Sequence, residues 1–243
     1  PDIFFSQFTG AELVADKWNL SREDLDQFAL ESHQKAAQAT ESKYFDREIL
    51  PVEGKNAEGI NDLVMADEGI RFDASLDKLA GLNPVTEGGK ITAGNASQIT
   101  DGAAAVLICN DAGLKKIKSN PRAEIVSISV VGDDPVFMLT GPIPASHKAL
   151  DIAKLSIEDM DIYEVNEAFA PVPLAWAEEL KADRSKLNVN GGAMALGHPL
   201  GATGAKLMTT MLHELERREG NYALQAICEG GGTANATIIK RIT

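Results

Sequence analysis

Cysteine is nearly absent: the 243 residues hold two, Cys109 and Cys228. Two cysteines cannot staple a chain of this length, so a disulfide framework is excluded and a reducing, cytoplasmic setting is expected. Positive charge is short as well. Against 36 Asp and Glu stand 23 Lys and Arg, a formal net charge of −13. Nucleic acids and anionic membranes call for a basic face, so neither is expected as a partner. No apolar run approaches the ~18 residues of a membrane-spanning helix. Ser185-Lys186-Leu187 spells a peroxisomal address, but such an address is read only at a C-terminus, and the chain closes Arg-Ile-Thr. Pro1, not Met, opens the chain, so an N-terminal address is not readable from it.

What remains is an ordinary globular composition, 44% hydrophobic and 24% charged, able to bury a core. Ser21 is a good N-cap, with Glu23 and Asp24 in the first turn and Leu25, Phe28 and Ala29 recurring at helical spacing. From Ile49 to Gly89 turn residues are frequent. This stretch reads as a loop-rich subdomain packed through Ile60, Leu63, Val64, Ile70, Phe72 and Leu76. Ala103–Cys109 is a short apolar run, expected as a strand or helix buried on both faces, with Cys109 in the core. Beyond Pro121 the order is regular. Strands are expected over 124–131, 161–165, 187–190, 222–229 and 234–242, and helices over 145–153, 167–180 and 200–218. Leu207, Met211, Leu212 and Leu215 share one face of the last helix. Strands alternating with helices and closing on a strand pair give an α/β fold with a mixed sheet.

Three segments carry the candidate chemistry, each where a strand ends. In the first, Asn166-Glu167-Ala168-Phe169, Asn166 either caps the next helix, with Glu167 at its positive end, or aims its amide into a cleft. The second, Asn188 to Gly204, sets five glycines around His198 just before a long helix. Its glycine spacing matches neither the phosphate-binding nor the dinucleotide pattern, which argues against a nucleotide-binding enzyme. A histidine in such a turn is well placed to face a cleft. The third is Cys228-Glu229-Gly230-Gly231-Gly232. Taken alone its cysteine reads as a small buried hydrophobe beside a hairpin turn, while three consecutive glycines after it suggest backbone N–H groups exposed to a reacting group.

Together these segments resemble the signature blocks of the thiolase family, in its order. Upstream, Gly141-Pro142-Ile143-Pro144-Ala145-Ser146 resembles the turn into the first helix of the family's C-terminal half. Thr92-Ala93-Gly94-Asn95-Ala96-Ser97 and Asp101-Gly102-Ala103-Ala104-Ala105 resemble the last strand and helix of its N-terminal half. Trp18 to Arg22 and Phe28 to Ser32 resemble its inserted loop domain.

The resemblance implies a thiolase-like α-β-α-β-α layered fold. Residues 1–90 would be loop domain, 91–118 would end the N-terminal half, and 121–243 would form the C-terminal half. It implies thiolytic cleavage of a 3-ketoacyl-CoA or the reverse Claisen condensation, with coenzyme A or acyl-CoA as substrate and no permanently bound cofactor or metal. It also implies a homodimer or homotetramer. His198 would activate an acyl-accepting cysteine that the family carries upstream of Pro1, Asn166 would hold a water beside it, Cys228 would move the α-proton, and the Gly230 N–H would serve a second oxyanion hole. Ser97 and Ala93 would follow the pantetheine, and Met138, Ala168 and Phe169 would line the thioester pocket. Arg71 would sit at the nucleotide end, against the plain alternative of a solvated charge. Without the upstream cysteine the chain alone is expected to be inactive. A non-catalytic acyl-CoA-binding or split-assembly subunit is the alternative. Ser6 to Gly10 stands where acetoacetyl-forming relatives carry a His-Met pair, so a strict preference for short acetyl substrates is not expected and longer or bulkier 3-ketoacyl chains stand as an equal reading.

Overall fold

The computed structural model describes residues 6–55 and 59–243. The first five positions of the expected loop domain, and 56–58, lie outside them. Two helices open the described chain, α1 (Gln7–Lys17) and α2 (Arg22–Glu41). The α2 start is a full capping box. Asp24 N–H donates to Ser21 Oγ at 3.1 Å, and Ser21 N–H donates to the Asp24 carboxylate at 2.8 Å. Leu25, Phe28, Ala29 and Ala36 form its buried face. An antiparallel pair, β1 (Val52–Lys55) and β2 (Asn61–Val64), and two short helices, α3 (Leu76–Ala80) and α4 (Asp111–Ile117), follow.

The rest is one α/β/α unit: β3 (Ala123–Gly132), α5 (Pro142–Ala153), β4 (Ile162–Val165), α6 (Pro171–Leu180), α7 (Ala193–Leu196), α8 (Thr203–Arg218), β5 (Tyr222–Cys228) and β6 (Thr233–Arg241). The sheet order is β3-β6-β5-β4, with β4 and β5 parallel and β6 antiparallel to both neighbours. Residues alternate between faces along a strand. Leu224, Ala226 and Cys228 of β5 therefore join Ala145 and Ala149 of α5, while Ala223 joins Met211 and Leu215 of α8. Trp176 of α6 is fully buried beside Tyr163, and its indole N–H donates to Ser146 Oγ at 2.8 Å. No helix among the described residues is long and apolar enough to cross a membrane.

Several expectations need correction. Ala103–Cys109 forms neither strand nor helix and lies exposed, Cys109 included. An apolar run is buried only if something packs on it, and no described element covers this one. In the loop-rich stretch Ile70 is buried, but Ile60, Leu63, Phe72 and Leu76 are exposed. The helix expected over 167–180 begins at Pro171 and the one expected from Leu200 begins at Thr203. Leu187–Asn190 makes single bridges rather than a strand. There the Asn188 side chain stands in for strand backbone: its Oδ1 accepts Val165 N–H and its Nδ2 donates to Val165 O, both at 2.9 Å.

Candidate active site

β4 and β5 run parallel with Val165 opposite Ala226, and Asn166 N–H donates to Ala226 O at 3.0 Å. Asn166 and Cys228 therefore leave the sheet at the same end, on neighbouring strands. Asn166 does not cap α6, whose N-cap is Ala170. Residues just past β4 are instead bound to an upstream segment. Ser97 N–H donates to Ala168 O, Ala170 N–H donates to Asn95 O, each at 2.9 Å, and Ala96 bridges Phe169. This pairing brings Ser97, Ala168 and Phe169 together. Glu167 is no helix-end charge either. It is buried, and its carboxylate accepts Ser32 Oγ–H at 2.7 Å, Asn188 Nδ2–H at 2.9 Å and Met194 N–H at 3.1 Å.

The glycine-rich segment closes over this end. Gly197 has φ +78° and packs so tightly that an added Cβ would lie 2.1 Å from Thr100 Oγ1. His198 N–H donates to Gln98 O at 3.2 Å, and Gln98 Nε2 donates to Gly69 O at 2.8 Å and Met194 O at 2.6 Å. Gln98 thus ties the Gly69 loop to the segment that carries Met194 and His198. His198 is half-buried, with Nε2 3.3 Å from Asn166 Nδ2 and Nδ1 2.6 Å from Thr203 Oγ1. Burial and then the charge of Lys206 lower its pKa, so the neutral imidazole is favoured. Asn166 Oδ1 is buried and without a partner among the described residues.

Cys228 sits 8% exposed, and burial pushes its thiol up to about 12. The site does not lower that pKa, so the resting group is a thiol. No hydrogen bond among the described residues links it to Asn166 or His198. After it, Gly231 and Gly232 take φ of +74° and +83°, and Gly232 packs against the Asp133 and Asp134 carbonyls. Gly230 is exposed, with open space where a Cβ would stand. Met138 follows the Asp133–Asp134 loop, half-buried at φ +58°, a conformation uncommon for a long side chain.

Arg71 and Ala93 lie elsewhere, on a cleft of about 290 Å³ shared with His33, Lys78, Gln98 and Met194. His33 of α2 is buried, and its Nδ1 accepts Arg71 N–H at 3.1 Å. A second cleft of about 250 Å³, between Phe45, Ile49 and Met65, holds no candidate residue. Four supporting residues escaped the sequence reading: Thr203, Glu167 as an anchor, Gln98 and His33. Only Thr203 carried a signal, a hydroxyl residue five positions after a histidine at the mouth of a helix.

An α/β sheet with helices on both faces thus carries a buried amide and a buried thiol at the ends of neighbouring strands, with an imidazole next to the amide. The chain belongs to the thiolase family: residues 119–241 match the family profile "Thiolase, C-terminal domain" and residues 3–112 match "Thiolase, N-terminal domain". A steroid 3-ketoacyl-CoA thiolase of Mycobacterium tuberculosis is 56% identical over 241 residues, 99% of this chain and 58% of that protein. The crystal structure of human mitochondrial 3-ketoacyl-CoA thiolase superposes with TM-score 0.93 at 45% identity, covering 97% of this chain and 59% of that one. The same human protein in complex with CoA gives TM-score 0.89 at 44% identity, covering 96% and 58%. The chain therefore spans about three fifths of the length of the relatives it matches.

Proposed function

We propose that the chain is the larger part of a thiolase that cleaves a 3-ketoacyl-CoA with coenzyme A. The observation that carries the reading is the imidazole–amide pair: a neutral His198 with Nε2 3.3 Å from Asn166. A neutral imidazole can take the proton of an acyl-accepting thiol, and a neighbouring amide can hold a water or an oxyanion beside it. That thiol is neither of the two present. Cys228 is held protonated by burial, and Cys109 lies on an exposed irregular segment. A protonated Cys228 suits the cleavage direction. When the C2–C3 bond of the substrate breaks, its thiol protonates the C2 carbanion, and the proton of the incoming CoA thiol restores it.

The cleft around Arg71 and Ala93 supplies a local guanidinium on an acidic protein, as a phosphate-bearing CoA requires, while Lys78 on the same cleft is paired with Asp73. In this reading Ser97, Ala168 and Phe169 lead from that cleft to the thioester, and Met138 and Gly230 line the pocket at its reacting end. Phe8 meets Phe169 edge-on, with centroids 5.4 Å apart, an apolar wall that suits a bulky acyl chain. The name of the mycobacterial relative points the same way. Residues 1–90 are assigned to the loop domain, 91–118 to the end of the N-terminal half and 121–243 to the C-terminal half. A cytoplasmic homodimer or homotetramer completes the proposal.

The test joins the chain to a segment bearing the acyl-accepting cysteine and follows loss of a 3-ketoacyl-CoA. His198→Ala is expected to lower kcat by about 10²–10⁴-fold, the usual yield of a general base. Full turnover in that variant refutes the reading. Tight CoA binding without turnover in the joined protein supports a binding subunit instead.

A further inference from the structure

We infer that Thr203 is a positioning residue that fixes the tautomer of His198, so that Nδ1 carries the proton and the Nε2 lone pair faces Asn166. The argument is a count of protons. Thr203 Oγ1 lies 2.6 Å from His198 Nδ1 and 3.0 Å from Pro199 O. Asn166 turns its Nδ2 toward Nε2 at 3.3 Å, and an amide nitrogen can only donate, so Nε2 accepts, the one ring N–H stands on Nδ1, and the Thr203 hydroxyl proton goes to Pro199 O. Oγ1 then has only lone pairs to offer the ring, and the Nδ1–H meets one of them. A neutral imidazole carries one N–H, which leaves Nε2 bare.

The geometry is locked on each side. Thr203 is 2% exposed and opens α8, where both its backbone N–H and its hydroxyl are satisfied by the carbonyl four residues back. Pro199 fixes that carbonyl next to the histidine, and the His198 N–H is held on Gln98 O. The ring therefore cannot exchange its two nitrogens without breaking a buried contact. Asn166 Nδ2, the nearest group to Nε2, is a donor and suits the bare nitrogen. The tautomer assignment stands on this geometry alone. Its catalytic meaning, a lone pair ready for the proton of an acyl-accepting thiol, rests on the proposed function.

The experiment reads the tautomer directly. The chain is labelled with ¹⁵N-histidine, and long-range proton–nitrogen correlations are recorded where the imidazole is neutral. His198→Ala identifies the signals. Wild type is expected to show a protonated Nδ1 and a bare Nε2. Thr203→Val should move the ratio about tenfold toward the Nε2–H form, the effect of one hydrogen bond, and Thr203→Ser should restore it. A wild-type Nε2–H ring, or an unmoved ratio in a folded valine variant, overturns the assignment. Thr203→Ala, which adds no bulk, gives the same reading if the valine chain does not fold.

Turnover separates the two layers. In the joined enzyme Thr203→Val should lower kcat about tenfold while KM for the acyl-CoA stays within about twofold. A shifted tautomer with unchanged kcat removes the positioning role. Full turnover of His198→Ala removes the proposed reaction and leaves the tautomer assignment intact.

Discussion

Glu164 and Glu167 stand three residues apart at the end of β4, each 1% exposed, yet their surroundings are opposite. Glu167 accepts three donors, from Ser32, Asn188 and Met194. Glu164 Oε1 finds none among the described residues, and the opposed Gln225 on β5 also has an unpartnered Oε1. Burial raises both carboxyls, but the three donors pull Glu167 back. Glu164 is driven well above the carboxylate range, with the charges of Glu167, Glu48 and Glu214 adding to burial. Burial alone therefore does not decide the state of an acidic group. Donors do: three of them make Glu167 an anchor, and their lack leaves burial free to drive the pKa of Glu164 up.

The largest effect should come from removing the anchor. Glu167→Ala leaves buried donors on α2, on the Asn188 turn and on α7 without an acceptor. Urea melts should show a loss of about 3–5 kcal/mol. Gly192→Ala should act in the same direction, since its Cβ would lie 2.2 Å from Glu167 Cδ. A loss below about 1 kcal/mol would mean that the donors find other partners and that Glu167 is no anchor.

Glu164 offers the contrasting case, with a smaller effect of opposite sign. Its folded pKa is raised above the unfolded value of about 4.3. The stability it confers is thus present in acid and lost as pH rises through the folded value. Glu164→Gln should match wild type near pH 4 and become the more stable of the two as pH rises, read by urea melts at each pH. Parallel curves for the two proteins would clear Glu164 of any such role.

Much of the C-terminal half was legible in the sequence because local signals agree with what packs there. Met211, Leu212 and Leu215 of the stripe on α8 find the sheet, and upstream of that half Ser21 and Asp24 announce α2 in the same way. Ala103–Cys109 was misread because an apolar run records what it could bury, not whether a neighbour arrives. The candidate residues were visible as residue types, but the contacts that place them were not. Asn166 escapes capping because residues 95–97 bind 168–170, a pairing between segments about seventy positions apart that leaves no periodic trace. Asn188 replaces strand backbone with its side chain, so the expected strand shrinks to bridges.

The finest distinction between the two glutamates is which one carries a charge, and Lys35 reports it. This half-buried lysine of α2 donates to Leu187 O at 2.9 Å. Burial lowers its pKa, while Glu167 first, then Glu31 and Glu164, raise it. Lys35 in turn lowers the pKa of both buried glutamates. Lys35→Met keeps the apolar stem and removes the charge. If Glu167 is the ionised partner, the variant should lose about 1 kcal/mol for the missing hydrogen bond and a further amount that grows as pH rises through the carboxylate range. That growth should vanish when Lys35→Met is made in Glu167→Gln and persist in Glu164→Gln. The reverse pattern would make Glu164 the charged member and undo the contrast between the anchor and its neighbour.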